Sequence, residues 1–248
     1  MDDRLVLPQV TLVAATSVAR AATLHAMHTS MQKIDFGAAH FLCDSEPEAF
    51  WDYSGKWSRI RPMHSRSDYS QFLLRELGNF VTTSHVLVVQ WDGYVLNAGN
   101  WDSRFLDYDY IGAPWPQFAD AHRVGNGGFS LRSRRLIDAL QTFPDTDQVS
   151  EDVAICRLWR AELEEIHGIK FAPEGVARRF SFERMPQRGD EFGFHGVFNL
   201  PKIVARSQFH DVLHGIERGV LGRRERIELL GRAWSQRDWR LALLLLSR

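Results

Sequence analysis

Cysteine is scarce in this 248-residue chain, which contains only Cys43 and Cys156. Two cysteines outside any Cys-x-x-Cys pair do not make the disulfide framework of a small secreted protein, so we expect reduced thiols and a cytoplasmic location. The amino-terminal residues also lack the basic segment and the long apolar stretch of a signal peptide, so no secretion is expected.

An excess of positive charge is absent as well. The 30 Lys and Arg residues are balanced by 31 Asp and Glu residues, which gives a formal net charge of -1. Nucleic acid is therefore not an expected partner, because such binding rests on neutralising phosphates with basic side chains. The longest apolar run, residues 241–246, is far shorter than the roughly 20 residues that cross a bilayer, so no transmembrane segment is expected.

Short apolar runs alternate with segments of helical periodicity in the first half of the chain. Strands are predicted over residues 10–15, 38–43 and 86–89, the last of them apolar throughout, as in a strand covered on both faces. Two helices are predicted, one capped by Thr16 or Ser17 with Ile34 on its apolar face, and one over residues 67–80. This alternation predicts an α/β architecture with a mostly parallel sheet.

Ligands of such sheets bind beyond the carboxyl ends of the strands, so the residues that follow each strand deserve inspection. Thr16 and Asp44 follow the first two predicted strands, and Gln90, Trp91 and Asp92 follow the third. The Asp92 carboxylate suits a hard cation or a sugar hydroxyl, whereas the dipeptide that it forms with Gly93 is equally typical of a plain turn.

Three later segments also carry candidate chemistry, each with a structural alternative. Residues 125–128 read Gly-Asn-Gly-Gly, which suits either a backbone lying against a bound group or a hairpin turn, and which matches neither a P-loop nor a dinucleotide fingerprint. Glu151 and Asp152 begin a predicted helix with Ser150 as its N-cap, where they either stabilise the helix dipole or deprotonate an acceptor hydroxyl. His195, between two glycines, is either a metal ligand or a hydrogen-bonded structural residue.

Tryptophans recur along the same part of the chain. They suit stacking on a sugar face or filling of the core, and they are Trp51, Trp57, Trp91, Trp101 and Trp115.

Taken together, five blocks of this sequence resemble a known family. They are residues 86–95 (VLVVQWDGYV), 108–115 (YDYIGAPW), 125–132 (GNGGFSLR), 150–153 (SEDV) and 192–196 (FGFHG). The resemblance is to the bacterial glycosyltransferase-like domain of unknown function found in polysaccharide-biosynthesis loci, and it covers about residues 8–200. It implies a single Rossmann-like domain of the glycosyltransferase-A type over residues 1–206, followed by a helical C-terminal extension over residues 207–248.

The resemblance also implies a division of roles among site residues. Asp92 matches the acidic position that holds a divalent cation, Mn²⁺ or Mg²⁺, and His195 matches a late histidine that completes its coordination. Gln90 replaces the first acidic residue of the usual Asp-x-Asp pattern, which leaves metal dependence open. Asp152 matches the catalytic base, with Glu151 in reserve.

The remaining roles concern the two substrates. The nucleotide-sugar donor is expected to contact the strand-end and glycine-block residues, namely Thr16, Asp44, Arg66, Tyr69, Gln90, Trp91, Asp92, Gly127 and Gly128. Trp115 is expected to border the acceptor, a saccharide or a lipid-linked molecule.

The implied activity is an inverting sugar transfer from a nucleotide sugar to an acceptor hydroxyl in bacterial surface polysaccharide synthesis. Two alternatives stay open: a non-catalytic module that binds nucleotide sugars or carbohydrate, and a methyltransferase-type domain, against which the missing glycine-rich loop after the first strand argues. The C-terminal tail is expected to dock on its own domain, pair with a second copy, or touch the inner membrane surface.

Overall fold

A six-stranded sheet in the order β3-β2-β1-β4-β6-β5 forms the centre of the computed structural model, which describes residues 4–47, 55–147 and 149–247. Its strands are β1 (Leu5–Thr16), β2 (Ile34–Cys43), β3 (Lys56–Arg59), β4 (His85–Val88), β5 (Tyr110–Ile111) and β6 (Ser130–Ser133). Strands β1 to β4 run parallel, whereas β6 is antiparallel to β4 and β5. The predicted mixed α/β fold with a mostly parallel sheet is therefore confirmed.

Helices surround this sheet and dominate the C-terminal end. They are α1 (Arg20–Met31), α2 (Arg66–Arg75), α3 (Arg134–Leu140), α4 (Glu151–Val153), α5 (Arg160–Glu165), α6 (Glu174–Phe180), α7 (Leu200–Ile203), α8 (Arg206–Gly215), α9 (Arg223–Ser235) and α10 (Trp239–Leu246). A π-helical turn over Ala154–Leu158 lies between α4 and α5. A separate pair of short parallel strands, β7 (Ser181–Phe182) and β8 (Gly193–Phe194), completes the fold.

Apolar runs lie in the two central strands, residues 12–15 of β1 and 86–88 of β4, because both faces of the sheet are covered there. Leu12 of β1 and Leu87 of β4 pack into a core shared with α1 and a group of phenylalanines. Their chain neighbours Val13 and Val88 belong to a different core, which includes α2. Adjacent residues of one strand point to opposite faces, so this division shows that the sheet is the middle of three layers.

Two details of the first predicted helix are wrong. The Thr16 hydroxyl accepts a hydrogen bond from the Val18 backbone N–H at 3.1 Å and also donates to the Val18 carbonyl, so it stabilises a tight turn rather than capping α1. The helix begins after Ala19, which adopts a left-handed conformation with φ of 51°. Ile34 is the first residue of β2, where its apolar side chain is buried in the sheet instead of on a helix face.

The C-terminal helices pack onto the α/β part through their own apolar core. Phe209 of α8, Leu229 of α9 and Leu241 of α10 are buried together with Ala22 and Ala26 of α1. Asp238 ties the tail internally, since its carboxylate accepts hydrogen bonds from Arg206 and from the first turn of α10. Within the described residues, no helix combines the length and the apolar character that a membrane span needs.

Candidate functional site

A cleft of about 1190 Å³ lies where the parallel strands end. It brings together most of the residues that the sequence singled out, although they are far apart along the chain. The predicted residues that line it are Thr16, Arg66, Tyr69, Gln90, Trp91, Asp92, Trp115, Gly127, Gly128, Glu151, Asp152 and His195. Such concave, polar surfaces at the carboxyl edge of a sheet are where α/β proteins bind ligands.

Asp44 is the predicted donor-binding residue that the structure places outside this lining. Its carboxylate forms an ion pair with Arg20 of α1 at 3.1 Å, and the Asp44 side chain is largely buried. The strand-end rule located Asp44 correctly at the end of β2, but the neighbouring guanidinium occupies its oxygens. The structure therefore does not place Asp44 in the lining of the cleft, and its contact with the donor stays a prediction.

His195 lies at the centre of the cleft between two carboxylates. It follows β8 directly, and Glu183 follows β7, so the parallel pairing of these two strands brings both side chains out next to each other. His195 Nδ1 is 3.5 Å from Glu183 Oε1, and Nε2 is 3.4 Å from Asp92 Oδ1 and 3.1 Å from Gln90 Oε1. The local chain geometry thus fixes the imidazole from both ring nitrogens.

Electrostatics in this group favour an ion pair in the absence of ligands. Burial lowers the pKa of His195, but the Asp92 and Glu183 carboxylates together raise it well above its usual value. Burial opposes ionisation of Glu183, yet its hydrogen bond with His195 holds the pKa of that carboxyl below the usual range.

Asp92 sits in a tight turn, and it faces the cleft as well. Gln90 and Gly93 exchange backbone hydrogen bonds at 3.1 and 3.3 Å, so the turn is present, and the binding of a cation or a sugar hydroxyl by Asp92 stays a prediction. Asp92 is only 4% exposed, and its Oδ1 makes no hydrogen bond within the described part of the chain. A buried carboxylate oxygen without a donor is costly unless a ligand completes it.

The glycine block owes its composition to the side chains that press against it. A Cβ at Gly128 would lie 2.1 Å from His195 Nε2, and a Cβ at Gly127 would lie 2.0 Å from Glu151 Oε1. Asn126, between them and Gly125, has a φ of 63°, and its amide nitrogen lies 3.1 Å from His195 Nδ1. The glycines therefore make room for the site's own side chains as well as lining the cleft.

Glu151 is held in a buried ion pair beneath the cleft. Its Oε1 is 3.0 Å from Arg132 Nη2, and the two side chains are 5% and 0% exposed. Ser70 Oγ also accepts from the Glu151 backbone N–H at 3.2 Å. Burial and the neighbouring Asp152 raise the pKa of Glu151, while Arg132 opposes this shift. This engagement makes Glu151 a structural support of the cleft rather than a free base.

Asp152 is half-buried and is oriented by three donors. Its Oδ2 accepts from the Gly127 N–H at 3.1 Å, and its Oδ1 accepts from the Val153 N–H at 2.8 Å and from the Ser150 hydroxyl at 2.5 Å. Ser150 is the N-cap residue of α4, as predicted, but its side chain makes no capping hydrogen bond, because its hydroxyl donates to Asp152. Asp152 is thus a carboxylate of the cleft that is positioned by neutral donors.

The donor atoms beside Asp92 fit a divalent cation in part. Among the described residues, no three His, Cys, Asp or Glu side chains form a metal-binding group. Asp92 Oδ1, His195 Nε2 and the Gln90 amide oxygen nevertheless face one another, and the first of them is an unpartnered buried atom. Mg²⁺ often takes one or two protein carboxylates and completes its coordination with substrate phosphates.

The tryptophans divide between the cleft and the core. Trp91 and Trp115 line the cleft, although Trp115 is only 5% exposed and packs against Gly125, while Trp57 and Trp101 pack against the main core. Trp51 lies outside the described residues.

The fold and the cleft define this protein as an α/β protein with a cleft at the carboxyl edge of its sheet. The chain belongs to a protein family of unknown function, DUF5672, whose model matches residues 57–195, more than half of its length. A comparison with curated proteins finds no match.

Some solved structures have a similar fold at low sequence identity. One is a glycosyltransferase involved in glycosylation of the major capsid of PBCV-1, with a TM-score of 0.48 and 11% identity over 83% of this chain and 98% of that one. Another is the apo form of the glycosyltransferase GlyE of Streptococcus pneumoniae TIGR4, with a TM-score of 0.46 and 13% identity over 96% of this chain and 62% of that one. The activity of this protein therefore has to be argued from its own cleft.

Proposed function

We propose that this protein is a glycosyltransferase that moves a sugar from a nucleotide sugar to a hydroxyl of a saccharide or lipid-linked acceptor. The observation that carries the proposal is the convergence of Asp92, Asp152 and His195 on one cleft. These side chains supply the two functions that such a reaction needs, stabilisation of a leaving diphosphate and removal of a hydroxyl proton.

At the donor end, Asp92, His195 and the Gln90 amide would hold a divalent cation, Mn²⁺ or Mg²⁺. Glu183 supports this assignment, because a carboxylate on Nδ1 orients the ring and leaves Nε2 as the ligand atom. When bound, the cation offsets the negative charge that develops on the departing diphosphate. The nucleotide would extend over Thr16, Arg66 and Tyr69, which line the same cleft.

At the acceptor end, Asp152 takes the proton of the attacking hydroxyl. The acceptor oxygen forms a bond to the anomeric carbon as the bond from that carbon to the diphosphate oxygen breaks, and the nucleoside diphosphate leaves with the electron pair. A single displacement of this kind inverts the anomeric configuration. Asp152 is the base and Glu151 is not, because Arg132 holds Glu151 in a buried ion pair.

The test is release of nucleoside diphosphate from a panel of nucleotide sugars with Mn²⁺ and saccharide acceptors. Asp152→Asn should lower kcat by about 10²- to 10⁴-fold, the usual contribution of a general base, and leave donor affinity unchanged. Asp138→Asn is the matched control, since Asp138 is exposed on α3 and paired only with Arg134.

Each outcome of this assay decides between functions. Unchanged turnover in Asp152→Asn would reject the assignment of the base. A wild-type protein that binds nucleotide sugars but releases no nucleoside diphosphate would instead be the non-catalytic binding module, which the replacement by Gln90 favours.

For the tail we propose contact with an anionic membrane surface. Trp234 and Trp239 are 71% and 53% exposed, and their ring centroids are 5.3 Å apart. Leu243 and Leu246 are exposed on the same helix as Trp239 and extend this apolar surface. The exposed basic neighbour Arg240 gives this surface the charge that acidic lipids attract. Sedimentation with vesicles of phosphatidylglycerol should be lost in the double variant Trp234→Ala/Trp239→Ala; a concentration-dependent dimer without vesicle binding would contradict the proposal.

A further inference from the structure

The connection between α8 and α9 forms one wall of the cleft. Arg218, Gly219, Val220, Arg224 and Glu225 line it, together with the strand-end residues. All five lie beyond residue 195, where the match to the family model ends. The helical tail is therefore part of the candidate site and not only a support for the domain.

This wall is fixed in place at both of its ends. Glu217 Oε2 accepts a hydrogen bond from the Ala19 backbone N–H at 2.5 Å, which ties the connection to the start of α1. Glu225 Oε2 accepts from the Gly222 N–H at 2.7 Å and closes the first turn of α9. The two arginines of the wall, Arg218 and Arg224, are thereby held at the opening of the cleft.

A third arginine approaches the same place from α2. A Cβ added at Gly222 would lie 3.3 Å from Arg66 Nη2, so the Arg66 guanidinium reaches the tail connection. Arg66, Arg218 and Arg224 are all exposed and all line the cleft. They form what we call the arginine rim.

The arginine rim has no acidic partner among the described residues. Over residues 4–47, 55–147 and 149–247, none of its three guanidinium groups makes an ion pair. Arg132 and Arg184, which also lie at or near the cleft, are paired with Glu151 and Glu228. The rim arginines thus differ from the structural arginines around them.

Within the described residues, no carboxylate that lines the cleft makes an ion pair with the rim arginines. Glu151 is paired with Arg132, Glu183 and Asp92 flank His195, and Asp152 and Glu225 accept hydrogen bonds from neutral donors. A neutral sugar would not neutralise any of the three guanidinium groups, and a ligand with a single carboxylate would neutralise only one of them. A diphosphate group offers several oxygens and about two negative charges, which match guanidinium groups in both geometry and charge.

We propose that Arg66, Arg218 and Arg224 form a binding site for a diphosphate group at the opening of the cleft. The inference rests on the proposed function and deepens it, because it assigns a substrate-binding role to the C-terminal tail. The diphosphate belongs to the nucleotide donor or to a lipid diphosphate acceptor, and the two sources share the chemistry that the rim recognises.

The test is isothermal titration calorimetry on the full chain with inorganic pyrophosphate, UDP, GDP and geranyl diphosphate, with uridine and guanosine as controls. The double variant Arg218→Gln/Arg224→Gln should weaken diphosphate binding by at least about tenfold and reduce its salt dependence. Arg223→Gln is the matched control, because Arg223 is exposed in the same turn of α9 but does not line the cleft. Thermal unfolding of each variant verifies that the fold is retained.

The pattern of losses identifies the source. A loss confined to the nucleoside diphosphates assigns the rim to the donor, and a loss confined to geranyl diphosphate assigns it to the acceptor. Equal binding by wild type and double variant, an equal loss in Arg223→Gln, or no binding of any diphosphate by the wild type would overturn the inference. Calorimetry measures binding, whereas the nucleoside diphosphate release assay measures sugar transfer, so the two proposals can fail separately. Binding that depends on the rim, in a protein without turnover, would reject the proposed function alone. Turnover in a protein whose diphosphate binding does not depend on the rim would reject this inference alone.

Discussion

Replacing Gly128 by alanine perturbs the cleft at its most crowded point. The new Cβ would lie 2.1 Å from His195 Nε2 and 2.4 Å from Cδ2. The Gly93 backbone also lies close to the ring, since a Cβ added there would come within 2.9 Å of Cδ2, so little space is free on that side. His195 must therefore leave its position between Gln90 and Asp92.

The size of the effect follows from this overlap. Ordinary contact needs well over 3 Å, so the imidazole has to move by about 1 Å or more in a closely packed interior. Overpacking of this kind costs about 1–3 kcal/mol, which corresponds to a fall in Tm of roughly 2–12 °C for a chain of this length. The displaced ring would also lose its contact with the Asp92 carboxylate. Because these two side chains would hold the cation together, Mn²⁺-dependent nucleotide binding should be lost.

Differential scanning calorimetry and titration with a nucleoside diphosphate measure the two effects. Gly231→Ala is the control, because a Cβ there meets nothing within 4 Å and the residue lies inside α9. That substitution should be neutral or stabilise the protein by up to about 1 kcal/mol, since alanine favours helix more than glycine does. If Gly128→Ala behaves like Gly231→Ala in both measurements, the described packing around His195 is incorrect.

Two further predictions concern charge. Glu151→Gln should lower the free energy of unfolding by about 3–5 kcal/mol in urea titrations, because it leaves the buried Arg132 without a counter-charge. Glu76→Gln, the control in an exposed ion pair, should lower it by at most about 1 kcal/mol. Similar losses in both variants would contradict the difference in burial between the two pairs. A hydrogen bond from Arg104 lowers the pKa of Asp102 to about 2. Because this pKa is depressed by folding, the contribution of Asp102 to stability is present above its unfolded value of about 3.9 and is lost as the pH falls toward 2. A carboxyl NMR titration with a midpoint near 4 would contradict it.

The sheet could be predicted because its signals are local. An unbroken apolar run marked β4, and strand–helix alternation marked the parallel connections. The start after Ser150 was predicted correctly, whereas the start of α1 was not, because Thr16 bonds to Val18 instead of to the helix. The hydroxyl of Ser150 also has a local partner, since it donates to Asp152. The sequence alone does not show whether a serine or threonine hydroxyl bonds to a neighbouring residue or accepts a hydrogen bond from a backbone N–H group of the first helical turn.

The cleft residues were predictable where a side chain follows a recognisable strand or belongs to one of the resembling sequence blocks. Asp92 was found in this way, whereas Glu183 follows β7, a strand of two residues that is too short to leave a periodic signal. The burial of Arg132 could not be predicted from the sequence, because it depends on the tertiary contact with Glu151. Arg218 belongs to the cleft only because the tail folds back over α1, which depends on packing between segments about 200 residues apart.

The most direct test is anomalous diffraction at the manganese edge from crystals grown with Mn²⁺ and a nucleoside diphosphate. The account predicts a single strong peak within coordination distance of Asp92 Oδ1 and His195 Nε2, with the diphosphate bound to it and Asp152 facing the vacant sugar position. A nucleotide bound elsewhere on the molecule, or a peak that touches neither Asp92 nor His195, would contradict it.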